Sequence, residues 1–112
     1  MAEPINKAQL FELRDLLGDE YENLIQNFLR ESLIDMRAIQ SAFDNSDNAM
    51  GATAISSLKG ASANLGAIDL AAFCQKLFLE CKSNRLQDSD VLVHAVHEEL
   101  QRVTHFLRHE MA

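Results

Sequence analysis

Residues Glu20 to Phe43 read Glu-Tyr-Glu-Asn-Leu-Ile-Gln-Asn-Phe-Leu-Arg-Glu-Ser-Leu-Ile-Asp-Met-Arg-Ala-Ile-Gln-Ser-Ala-Phe. Tyr21, Leu24, Ile25, Phe28, Leu29, Met36, Ile39 and Phe43 recur at helical steps, which gathers them into one stripe of an α-helix. A half-buried strand would alternate at every second residue, and this stretch does not. The longest element of the chain is therefore a helix with one apolar face, and that face has to be covered by other elements.

Working outward, the same period continues on both sides. Towards the N-terminus a short amphipathic helix is expected over about Lys7 to Leu17, with Asn6 as N-cap, Leu10, Leu13, Leu16 and Leu17 inward, and Gly18 placed to end it. Beyond Phe43 the polar run Asp44-Asn45-Ser46-Asp47-Asn48 supplies a turn and caps for a third helix, about Ala49 to Leu65, which Gly66 closes. Its inner face is Ile55, Leu58, Ser62 and Leu65, flanked by Ala54 and Ala61. A fourth helix is expected over about Leu70 to Asn84 after Asp69, with Ile68 and Phe73 spaced as a hydrophobic staple and Leu70, Phe73, Cys74, Leu77 and Cys81 facing the core. Ser83 to Asp90 is polar except for Leu86 and leads to a last helix, about Val91 to Glu110, with the stripe Leu92, Val96, Leu100, Val103, Phe106 and Leu107. Short links make successive helices antiparallel. The expected fold is all-α: an antiparallel up-and-down four-helix bundle with an additional short N-terminal helix, forming one domain over residues 1–112.

Composition agrees with that reading and narrows the function. A chain of 112 residues, 47% of them hydrophobic, can bury roughly two-thirds of its unfolded surface without disulfide or metal staples. Seventeen Asp and Glu against ten Lys and Arg give a net charge of −7, with no basic cluster and no Trp, which argues against nucleic acid and against an anionic membrane as partners. Met-Ala-Glu-Pro lacks the basic and apolar regions of a secretory signal, and no apolar run approaches a membrane span, so a cytoplasmic protein is expected. Cys74 and Cys81 stand seven residues apart in one expected helix, about 10.5 Å along its axis, too far to bridge. Buried free thiols are expected.

The outer side of the third helix is the informative surface. Ser56, Lys59, Gly60 and Ala63 fall together there, with Ala52 and Thr53 one turn before, where an exposed helix usually carries Glu, Lys and Gln. Gly60 costs roughly 1 kcal/mol relative to Ala in a helix interior. Close approach by another macromolecule would repay that cost, as would relief of crowding against a neighbouring helix, and the third reading is that the glycine is simply tolerated. Lys59 is the one cationic residue between Asn48 and Asp69.

Ser57-Leu58-Lys59-Gly60-Ala61-Ser62-Ala63-Asn64-Leu65-Gly66-Ala67 resembles the signature of histidine-containing phosphotransfer (HPt) domains, H-[ST]-L-K-G-[SA]-[SA]-x-x-L-G. The resemblance reaches over most of the chain, through Leu13-Arg14-Asp15-Leu16-Leu17-Gly18-Asp19-Glu20-Tyr21 and Phe28-Leu29, and it too implies a four-helix bundle. It implies a module of a two-component phosphorelay that docks response-regulator receiver domains, a sensor histidine kinase, or both. It also implies that Lys59 lies beside the phosphoryl group, that Gly60 leaves room for the docking receiver, and that Gly66 ends the helix. The phosphoacceptor histidine of the family falls at the position held here by Ser56. A glutamine that some members carry near the phosphohistidine is not matched: Gln75 lies about one turn before the expected place, where Phe78 stands.

A relay acceptor has to be nucleophilic near neutral pH, which a neutral imidazole is and a serine hydroxyl without an adjacent base is not. Ala52, Thr53, Lys59 and Gly60 supply no such base. The expected docking residues are thus Ser56, Lys59, Gly60, Ala63, Ala52 and Thr53, with no catalytic residue, and the chain is expected to be a natural non-carrier or an acceptor-substituted form of a carrier. The competing reading is a helical scaffold or dimerisation protein that uses the small-residue stripe as a packing surface. His94, His97, His105 and His109 all fall on the outer side of the last helix, and none follows a glutamate by three residues, so no metal is expected. His97-Glu98-Glu99 would need a histidine where Gln101 stands to be a metalloprotease motif, and no phosphate-binding glycine pattern occurs. The expected protein is a monomer without cofactor and without enzymatic activity of its own.

Overall fold

The structure, a computed structural model, describes residues 3–110. It contains α1 (Lys7–Leu17), α2 (Tyr21–Asp44), α3 (Asn48–Leu65), α4 (Ile68–Lys82) and α5 (Asp90–Glu110), with short 3-10 turns at Gly18–Glu20 and Leu86–Asp88. No strand occurs among the described residues. Helix α2 packs on α3 and α5, and α4 packs on the same two, which closes a four-helix antiparallel bundle; α1 lies against α2 and α3. No described helix is long and apolar enough to cross a membrane.

Local chemistry explains the boundaries. Asn6 caps α1 by accepting from the Gln9 backbone N–H at 3.1 Å, and Asp47 caps α3 by accepting from Met50 at 3.0 Å. Helix α3 ends in Gly66, whose φ of 84° lies in the left-handed region that favours glycine. The Gly66 and Ala67 amides then turn back to the Ala63 and Ser62 carbonyls at 3.1 and 2.9 Å. This turn is also held from outside, because the Asn6 amide donates to the Gly66 carbonyl at 2.9 Å and the Gln9 side chain donates to the Ala63 carbonyl at 2.9 Å.

The expected stripes form the core. Ile25, Phe28, Met36 and Ile39 of α2 meet Ile55, Leu58 and Leu65 of α3, Leu70, Cys74 and Leu77 of α4, and Val96, Leu100 and Val103 of α5, all buried. Both cysteines are free and buried. Asn48 ties the α4–α5 link to the start of α3, its Oδ1 accepting from the Leu86 amide at 3.0 Å.

Three expectations need correction. Leu16 points outward and is 80% exposed. It sits about 100° round the helix from Leu17, and α1 rests on the bundle along a strip wide enough only for Leu10, Leu13 and Leu17. Helix α4 begins at Ile68 rather than after Asp69, because the Gly66–Ala67 reversal is bonded back to α3 and the chain re-enters a helix at once. Ile68 is therefore a helical residue, 58% exposed, and the Ile68–Phe73 staple does not form; Asp69 instead places its charge in the positive first turn. Glu99 is buried, and Arg102 donates to its Oε1 at 2.8 Å.

Candidate functional site

Helix α3 is bracketed by α2 and α4, so its remaining side looks outward between them. Ser56, Thr53, Gly60 and Ala63 are exposed there, while Ala52 and Lys59 are half-buried. A Cβ added at Gly60 would meet nothing within 4 Å. Gly60 therefore relieves no crowding within this chain. The Thr53 hydroxyl turns back to the Ala49 carbonyl at 3.2 Å and leaves its methyl on the surface.

Polar contacts from both neighbouring helices flank this face. On one side the Ser57 hydroxyl donates to Asp35 Oδ2 of α2 at 2.8 Å. Burial raises the Asp35 carboxyl above its usual range, the Ser57 hydrogen bond offsets part of that rise, and the like charge of Glu31 adds to it. On the other side Lys59 Nζ donates to Gln75 Oε1 of α4 at 2.5 Å. This ammonium is held by a neutral amide.

Gln75, which lies about one turn before the place the resemblance implies for a glutamine, nevertheless reaches Lys59 from α4. The residues expected at the face, Ser56, Lys59, Gly60 and Ala63 with Ala52 and Thr53, do lie on one side of α3, but the glutamine that reaches Lys59 comes from α4. Its partner is sixteen residues away, so finding it requires knowing how α4 is set against α3, and that follows from the tight reversal at Gly66.

No described side chain hydrogen-bonds the Ser56 hydroxyl. The four histidines lie on the outer side of α5, which packs on α2 and α4 rather than beside Ser56. They are engaged with one another or with neighbours on α5: His94 with Glu98 at 2.7 Å, His97 with Gln101 at 3.2 Å, and His105 stacked on His109 with ring centroids 4.2 Å apart. Among the described residues no three His, Cys, Asp or Glu side chains converge as a metal site.

The fold and this lysine-bearing face define a small four-helix bundle module, and comparison with known proteins gives the family. Residues 23–106 match the Hpt domain family, so the chain belongs to it. Its fold is that of the crystal structure of histidine-containing phosphotransfer protein B (HptB) from Pseudomonas aeruginosa PAO1, with a TM-score of 0.91 and 26% identity over 98% of this chain and 96% of that one. No curated protein sequence matches it significantly. Hpt domains are phosphotransfer carriers rather than classical enzymes, and they interact with histidine kinases and response regulators in two-component phosphorelays.

Proposed function

We propose that residues 1–112 form one Hpt module in which Ser56 occupies the phosphoacceptor position, so that the chain docks receiver domains, a sensor histidine kinase, or both, without carrying phosphate itself. The observation that supports this reading is the exposed Ser56 hydroxyl, set among small residues with a cation one turn away and no base in hydrogen-bonding contact.

Phosphoryl transfer from a receiver aspartate needs an acceptor lone pair near pH 7. Imidazole has one, whereas a serine hydroxyl has to lose its proton to an adjacent base as it attacks. A phosphoserine ester would also be a low-energy end product that could not return the group. The docking chemistry is separate from the acceptor. Gly60 and Ala63 let a partner helix approach closely, and Lys59, steadied by Gln75, sets a positive charge against an acidic receiver pocket. Two buried free thiols suit a reducing cytoplasm.

The test is phosphotransfer from a panel of phosphorylated receivers to this protein and to Ser56→His in parallel, read by intact mass and acid lability. The parent is expected to stay unmodified while Ser56→His gains an acid-labile phosphoryl group. Lys59→Glu and Gly60→Arg should each weaken receiver binding by about tenfold or more while the chain stays folded, because Gly60 opens to solvent and Lys59 is only half-buried. A Ser56→His variant that is silent across the panel would overturn the proposal in favour of a helical scaffold.

A further inference from the structure

The outward turn of Leu16 leaves α1 with an exposed amphipathic face. Ala8, Phe11, Glu12, Asp15 and Leu16 follow helical spacing and cover an arc of about 140°, all of them exposed, with Phe11 at 39% and Leu16 at 80%. The face is apolar with two carboxylates. An exposed leucine on the helix that does least to close the bundle core is conspicuous, since nothing inside this chain uses it.

A surface of the opposite character lies between α2 and α5. A groove of about 550 Å³ has a floor of Leu29, Leu33, Met36 and Leu100, with Leu33 half exposed. Its rim carries Arg108 with His97, His105 and His109. No described carboxylate lines it, in a chain whose net charge is −7. Arg108 is a permanent cation, and a neutral imidazole can still donate a ring N–H to a carboxylate. The groove thus offers apolar contact below and donors along its edges, while α1 offers Leu16 and Phe11 beside the two carboxylates, with the Arg14 guanidinium over the Phe11 ring at 4.8 Å on the far side of the face.

We propose that the groove between α2 and α5 in one copy of this chain receives the outer face of α1 from a second copy, and the reverse, in a two-fold symmetric dimer. Leu16 and Phe11 lie on the leucine and methionine floor, and Glu12 and Asp15 meet Arg108 and the histidine rim. One short helix in each groove is a small interface, which sets the dimer in the transient class with dissociation on the order of micromolar to hundreds of micromolar. The outer side of α3 takes no part, so the dimer neither requires nor blocks docking at Ser56. The monomer expected from sequence is, in this view, the dilute form.

Sedimentation equilibrium over a wide concentration range tests this. The apparent mass should rise from 12.5 kDa towards twice that value as concentration increases. Asp15→Lys and Arg108→Glu should each weaken association about tenfold or more, and an equimolar mixture of the two should associate again, because each α1 then meets a groove of opposite charge. Leu16→Glu, at a site already in solvent, should keep its helical spectrum and lose the dimer. A mass fixed at 12.5 kDa up to about millimolar concentration would overturn the proposal and leave the groove to a helix of another protein. A dimer indifferent to both charge reversals, or one broken by Gly60→Arg instead, would overturn it too, the latter by moving the contact to α3.

Discussion

Asp35 is a carboxylate held half out of water, with Ser57 as its hydrogen-bond donor. The unfolded chain releases this proton near the ordinary value of 3.8, and the folded chain releases it only at higher pH. The cost of ionising it is therefore present above the folded value and is relieved as pH falls below the unfolded one. Asp35→Asn, whose amide oxygen can still accept from Ser57, should be more stable than the parent at pH 7, and the difference should close by about pH 3, as followed by urea denaturation at each pH. A difference that persisted or widened at pH 3 would refute the assignment. At this scale the sequence was legible only along one helix. Lys59, Gly60 and Ser56 could be set on one face by counting, whereas Asp35 and Gln75 meet their partners across 22 and 16 residues and become visible only when helices are in place.

Helix α3 shows how one residue type carries two meanings in one element. A Cβ at Gly51 would stand 2.7 Å from Leu86 Cδ2 and 3.2 Å from Cys81 Sγ, both on buried side chains, whereas one at Gly60 would touch nothing. Gly60→Ala should therefore stabilise by about 0.5–1 kcal/mol, the helix-propensity gain alone. At Gly51 the same gain is set against overpacking of about 1–3 kcal/mol, so Gly51→Ala should be destabilising by about 1 kcal/mol. Thermal and denaturant unfolding of the pair should give opposite signs. Element boundaries were readable to within about two residues wherever a cap or an apolar period marked them, as at Asn6, Asp47 and Gly66. At α4 no capping side chain marks the start, which lies two residues before the expected one because it is set by backbone hydrogen bonds into the preceding helix.

For the molecule as a whole, burial makes the two thiols reporters of global unfolding. Cys74 is fully buried with its thiol pushed up to about 12, first by burial, and Cys81 is raised for the same first reason. Neither should react with an exposed-thiol reagent at pH 8 while the bundle is closed, and both should become reactive at the urea midpoint where helical signal is lost. Reaction of either one in native buffer would reveal a local opening of α4. The bundle itself followed from periodicity, but the groove between α2 and α5 did not, since no linear pattern states which two helices leave a gap. The tie between Asn6 and the reversal at Gly66 closes sixty residues of chain with hydrogen bonds at one end of α1. Such a long loop is entropically slow to shut, while α3 and α4 are joined by a two-residue link. In time, therefore, the four long helices should condense first and α1 should fasten last. In pulsed hydrogen exchange during refolding, the Leu10 amide should gain protection after those of α3 and α4, so the fastening of α1 would record the last step of folding.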